Sequence, residues 1–196
     1  MENFHGTTIL MLRHKGQMAV CGDGQVTLQG TVVKSTAKKI RRLHQGKVLC
    51  GFAGATADAL AIMERFENQL TQHNGHLTKA AVELAKSWRT DKSLRRLEAV
   101  MLACDARGML LISGSGDVLE PDDWILSTGS GGNFALAAGR AMIRHSPGLS
   151  AAEIAQESLR IASEICVYTN DRLTLEVLDC EGDPAPGAVP TANPTS

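Results

Sequence analysis

Gly6-Thr7-Thr8, followed at once by the apolar run Ile9-Leu10-Met11-Leu12, is the stretch of this sequence best suited to chemistry. A threonine hydroxyl is a weak nucleophile until a neighbouring base takes its proton. A chain cut before Thr7 would supply both parts from one residue, the hydroxyl and a free α-amine. Such an amine titrates near ~7.7–8.0, so part of it is neutral at physiological pH, where a lysine is almost wholly charged. Read alone, Gly-Thr-Thr is only a loop entering a strand, and the rest of the chain must decide between the two readings.

The elements that would position Thr7 follow from hydrophobic periodicity. Residues 8–13 and 17–22 are apolar runs around His14-Lys15-Gly16, which predicts a β-hairpin broken afterwards by Asp23-Gly24. Thr31-Val32-Val33, Lys39-Ile40-Arg41 and Val48-Leu49-Cys50-Gly51-Phe52 predict further strands and a second hairpin. The period then changes. Leu60, Met63, Phe66 and Leu70 mark one helix, and Leu77, Ala80, Ala81, Leu84, Ala85 and Trp88 another, joined as a helical hairpin at His73-Asn74-Gly75-His76. Strands return at 99–104, 109–112, 117–119 and 125–128. A third helix is predicted with Phe134, Ala137, Ala138, Ala141 and Met142 on one face. A fourth opens on the capping-box spacing of Ser150 and Glu153 and carries Ile154, Ser158, Ile161 and Ile165, and a last strand covers 173–178. Helix pairs between blocks of hairpins predict an α+β fold, a four-layer αββα sandwich of two antiparallel sheets flanked by helix pairs.

Composition narrows the setting. At 196 residues the chain suits one domain, and with 43% hydrophobic residues no apolar run approaches the ~20 residues needed to span a bilayer. No membrane association is expected. Residues 1–6 are too short and too polar for a secretory signal, so a cytosolic location follows. The five cysteines, Cys21, Cys50, Cys104, Cys166 and Cys180, are scattered without a C-x-x-C pair and read as reduced thiols. A net charge of −1 gives no drive toward nucleic acid, and Lys38-Lys39-Ile40-Arg41-Arg42 reads as a strand edge. His73 and His76 lack a third partner for a metal. After Asp179 the composition turns to Gly, Pro, Ala, Thr and Ser, which predicts a disordered tail over 180–196 behind a single domain over 7–179.

Gly6-Thr7-Thr8-Ile9, Cys21-Gly22-Asp23-Gly24-Gln25, Lys38-Lys39-Ile40-Arg41-Arg42, Gly51-Phe52-Ala53-Gly54, Trp88-Arg89-Thr90-Asp91, Gly129-Ser130-Gly131-Gly132 and Tyr168-Thr169-Asn170 occur together and in this order. In this the chain resembles the HslV (ClpQ) family, the peptidase subunits of a bacterial two-component ATP-dependent protease, relatives of proteasome β-subunits and N-terminal-nucleophile hydrolases. The likeness covers roughly residues 5–178.

The resemblance implies roles for particular residues. Thr7 matches the nucleophile, exposed when the leader 1–6 is removed. Lys39 matches the lysine whose charge favours a neutral amine by like-charge repulsion, and Asp23 the carboxylate that holds it. Gly51 matches the oxyanion amide and Ser130 the serine that assists proton movement. Ser163, Cys166 and Thr169 fall where the family binds a monovalent cation, Na+, through backbone carbonyls. The implied reaction is hydrolysis of unfolded proteins inside a homododecamer of two stacked hexameric rings, driven by a hexameric AAA+ ATPase, HslU (ClpY). ATP would bind there, since this chain lacks the G-x-x-x-x-G-K-[ST] loop. An amidohydrolase of small amides and a catalytically silent ring subunit are the alternatives. The first would want a larger insertion for a small-molecule pocket. The second is disfavoured by the retained Thr7, Asp23, Lys39 and Ser130.

Overall fold

The computed structural model describes residues 4–5, 7–54, 56–91 and 99–180. In chain order the strands β1 (Phe4–His5), β2 (Thr8–His14), β3 (Gln17–Gly22), β4 (Val26–Leu28), β5 (Thr31–Lys34), β6 (Ile40–Leu43) and β7 (Val48–Ala53) precede helices α1 (Thr56–Gln72) and α2 (Leu77–Thr90). Strands β8 (Val100–Cys104), β9 (Met109–Ser113), β10 (Val118–Leu119) and β11 (Ile125–Gly129) follow, then α3 (Gly132–His145), α4 (Ala151–Ile165) and β12 (Thr174–Asp179). One sheet has the order β11-β2-β3-β12 and a second β10-β9-β8-β7-β6, with antiparallel pairing throughout.

Alternation along the strands builds the layers, because successive side chains point to opposite faces. On β2, Ile9 and Met11 face the second sheet, while Leu10 and Leu12 face α3 and α4. On β8, Leu102 and Cys104 meet β2 and β3 across the middle, while Met101 and Ala103 lie under α1 and α2. Three apolar cores result, one between the sheets and one beneath each helix pair, which is the expected αββα sandwich. The helix ends follow local chemistry. Ser150 and Glu153 form the full capping box of α4, and the His76 imidazole accepts from the Lys79 amide at the start of α2.

The structure corrects the sequence reading in several places. A third sheet, β1-β4-β5, lies outside the sandwich, and its strand β4 was not anticipated because three residues of mixed polarity carry no periodicity. Leu60 is 55% exposed instead of lining the core; Ala59 and Ile62 share that stripe with Met63, Phe66 and Leu70. The buried face of α3 is Gly132, Ala135 and Gly139, with Leu136, Met142 and Ile143 packed partly against it, so Phe134 stands 40% exposed. The small residues win that face because α3 crosses close to the sheet, Gly139 leaving room for the Ile125 Cδ1 atom. On α4, Leu159 and Ala162 take the place given to Ile165, which is exposed. The expected tail after Cys180 lies outside the described residues, as do positions 1–3 and 6 of the expected leader.

Candidate active site

The first component comes from the end of β3. The strand stops at Gly22, and the fully buried Asp23 turns its carboxylate back toward β2. Its Oδ1 accepts from the Thr8 amide at 2.8 Å and from Lys39 Nζ at 2.7 Å. Its Oδ2 accepts from the amides of Gln25, at 2.9 Å, and Asn170, at 3.3 Å. Lys39 precedes β6, is buried, and also donates to the Gln25 carbonyl at 2.5 Å. Burial pulls the Lys39 pKa below its ordinary 10.5, while the Asp23 charge and hydrogen bond oppose that fall. An ammonium next to the peptide between Thr7 and Thr8 is thus held by the Asp23 carboxylate and the Gln25 carbonyl.

The second component is the turn Gly129-Ser130-Gly131 between β11 and α3. The Ser130 amide donates to the Thr7 carbonyl at 3.0 Å, and the Gly131 amide donates to Thr8 Oγ1 at 2.9 Å. Gly129 has φ +91°, and a Cβ there would lie 1.6 Å from the Thr7 carbonyl oxygen, so only glycine lets the turn close on Thr7. Thr7 is buried and the Ser130 side chain is exposed. Four of the expected residues, Thr7, Asp23, Lys39 and Ser130, therefore converge at one end of the sandwich.

Gly51 does not join them through its amide. It lies inside β7 opposite Ile40 on one side and Leu102 on the other. The neighbouring Phe52 amide donates to the Lys39 carbonyl on β6, so by strand alternation the Gly51 N–H is aimed at β8, away from Lys39. What the glycine provides is space, since a Cβ would sit 2.8 Å from Ile9 Cγ2 across the two sheets. The β7 backbone opens at the Lys39 end only beyond Ala53, where Gly54 is exposed with φ +153°.

Ser163 lies in the last turn of α4, its hydroxyl on the Arg160 carbonyl, and Cys166 is the residue that ends the helix. The Thr169 amide returns to the Cys166 carbonyl at 3.0 Å, closing a turn. A helix C-terminus directs carbonyls outward at the negative end of its dipole, a donor set that fits a small monovalent cation. Among the described residues no group of three His, Cys, Asp or Glu could hold a metal. His73 and His76 flank the turn between α1 and α2. All five cysteines are free thiols, and burial raises those of Cys21 and Cys50 to about 12, which leaves them un-ionised.

Sequence reasoning passed over three contributors. Thr8 was read only as a strand residue, yet its hydroxyl is fully buried against Thr169 and Gly131. Gln25 takes Lys39 on its carbonyl and donates from Nε2 to Thr27 Oγ1 and the Val167 carbonyl. Asn170 joins Asp23, Gly24 and Ser35. Of the three, Gln25 alone carries a sequence signal, since Gly22-Asp23-Gly24-Gln25 sets polar residues around glycines at the end of a strand.

Known proteins resemble this chain along most of its length. The family model described as "Proteasome subunit" matches residues 3–178. The chain is 57% identical over 176 residues to the ATP-dependent protease subunit HslV of Oceanobacillus iheyensis, covering 89% of this chain and 97% of that one. It is 56% identical over 181 residues to the subunit ClpQ of Bacillus subtilis, covering 91% and 100%. The crystal structure of eukaryotic HslV from Trypanosoma brucei superposes with a TM-score of 0.83 at 48% identity, covering 88% of this chain and 99% of that one. BPH of Thiobacillus denitrificans, at 19% identity and a TM-score of 0.70, shares the fold. With its sandwich, its buried Asp23–Lys39 pair and these relatives, the chain belongs to the proteasome family, in its HslV (ClpQ) branch of threonine peptidases that serve as protease subunits of ATP-dependent proteases.

Proposed function

We propose that Thr7 is the nucleophile, freed by cleavage after Gly6, and that Lys39, Asp23 and Ser130 serve it. The observation that carries this reading is the meeting of the Thr8 amide and Lys39 Nζ on one oxygen of Asp23. It fixes a positive charge beside the residue that follows the nucleophile. That charge favours the neutral amine, which takes the Oγ proton as Oγ attacks the scissile carbonyl. The C–N bond then breaks, the proton passes from the amine to the leaving nitrogen, and an ester on Thr7 remains. Water, deprotonated by the same amine, attacks the ester and releases the acid and Thr7. The Ser130 hydroxyl assists these transfers at the exposed lip of the site. The oxyanion donor is better sought past the end of β7, Gly54 first, than at Gly51, whose amide faces β8.

The first substrate is the chain itself. Phe4 and His5, two residues of the leader, form the extended strand β1 and pair antiparallel with Leu28 and Thr27 of β4. A protein substrate would take the same extended form after the leader leaves. The main-chain carbonyls of Ser163, Cys166 and Thr169 would hold a monovalent cation, Na+, that stiffens the turn they share. We place the active particle as two stacked hexameric rings, a homododecamer, fed with unfolded cytosolic proteins by a separate hexameric ATPase of the HslU (ClpY) type. Among the described residues no helix is long and apolar enough to cross a membrane.

Intact mass of the purified particle together with the Thr7→Ala variant tests the reading. We expect a chain beginning at Thr7 and, in the variant, loss of peptide hydrolysis with the ATPase present. A mature mass that retains Met1 or Glu2, or full hydrolysis by Thr7→Ala, overturns it.

A further inference from the structure

Thr8 is buried with no exposure, and its Oγ1 lies 2.7 Å from Thr169 Oγ1 while accepting from the Gly131 amide at 2.9 Å. One hydroxyl donates to the other. Residue 131 cannot carry a side chain beside this pair, because a Cβ would stand 2.5 Å from Thr169 Oγ1 and 2.8 Å from Thr8 Oγ1. Two buried hydroxyls are an unusual choice at this place. A valine at position 8 would suit a strand packed on both faces and would bring no polar group out of water. Each segment joined by the pair carries part of the proposed machinery. Thr7 directly precedes β2, the turn 129–131 carries Ser130, and the turn after α4 carries Thr169 and Asn170, whose amide rests on Asp23. The peptide after Thr7 is also held from both sides, by the Ser130 amide on the Thr7 carbonyl and by the Asp23 carboxylate, at the end of β3, on the Thr8 amide.

We infer that Thr8 and Thr169 are positioning residues for the reaction, a hydroxyl pair that sets the orientation of Thr7 and ties the turn after α4 to the catalytic centre. This rests on the reading of Thr7 as nucleophile. Replacing either hydroxyl by a methyl leaves the Gly131 amide or the remaining hydroxyl without its partner inside the protein, and the turn must shift to satisfy it. A displacement of the nucleophile by about 1 Å costs on the order of 100-fold in rate.

The test uses the full chain in its assembled, ATPase-bound form with a small peptide amide as substrate. Thr8→Val and Thr169→Val are expected to lower kcat roughly 10- to 100-fold with KM within about twofold. Thr8→Ser and Thr169→Ser, which keep the hydroxyl, restore most of it. The double valine variant is no worse than the poorer single one, because both break the same link. Intact mass separates maturation from catalysis. Should a valine variant keep its leader, the same chain is produced behind a removable fusion cut directly before Thr7. An unchanged kcat in the matured Thr8→Val particle, losses confined to KM, or multiplicative losses in the double variant would overturn the inference. Thr7→Ala run alongside keeps the two ideas apart: activity there refutes the nucleophile itself, whereas an inert Thr7→Ala with a fully active Thr8→Val refutes only the hydroxyl pair.

Discussion

At least four donors converge on Asp23, and two of them, the Thr8 amide and Lys39 Nζ, share a single oxygen. A carboxylate so placed does two jobs at once, fixing the backbone beside the proposed nucleophile and keeping an ammonium charged in a dry site. Asp23→Asn preserves the shape and takes the opposing charge away from the buried Lys39 ammonium. Breaking a buried pair from one side typically costs about 3–5 kcal/mol. The pH dependence follows from the lowered Lys39 pKa. Between that lowered value and the ordinary 10.5, the unfolded chain holds the extra proton, so stability from this group rises with pH through that window. Without Asp23 the burial effect is unopposed and the window extends downward. We expect the Asn variant to melt earlier at neutral pH and to regain part of the deficit on alkaline titration, beginning at lower pH than the parent protein. Thermal midpoints across that range check it, and a parallel pair of curves would contradict it.

Among the elements, β7 separates what periodicity can reveal from what it cannot. Its alternating side chains, Val48, Cys50 and Phe52 toward the helices and Leu49 toward the other sheet, were legible as a strand, and so were the hairpin of β2 with β3 and the stripe of α2. The direction of the Gly51 amide was not legible, because it depends on which neighbour β7 pairs with at that residue. Gly51→Ala is therefore expected to act through packing. The new methyl must displace Ile9, costing about 1–3 kcal/mol, while kcat per folded molecule stays near the parent value. A chemical midpoint with matched kinetics decides this, since a large fall in kcat at unchanged stability would return the amide to catalysis. The same limit explains α3. Its period gives a helix, but which face is buried depends on how closely the helix crosses the sheet, and Gly132, Ala135 and Gly139 permit an approach that Phe134 would block. Likewise Thr8 and Asn170 are indistinguishable in the sequence from ordinary strand and turn residues, since their partners lie 161 and 147 residues away.

Taken whole, the described molecule ends its last pairing at Asp179 opposite Gln17, with Cys180 donating its amide to the Gly16 carbonyl. A chain terminated after Gly182 keeps all of these contacts. Its thermal midpoint and its elution volume on size-exclusion chromatography are expected to match the full-length protein, and a shift to a smaller species would assign the tail a role in assembly. The three stacked cores also set how the protein comes apart. β2 supplies Leu10 and Leu12 to one core and Ile9 and Met11 to another, and it is hydrogen-bonded on both edges, to β3 and β11. A helix pair can lift, or the small outer sheet detach, while β2 stays clamped. Its amides should thus exchange with solvent only through global opening. Thr7 is attached to the segment that lets go last, so opening of α1 and α2 or of the outer sheet leaves the proposed nucleophile in register, whereas lifting of α3 and α4 also releases the turns that hold it.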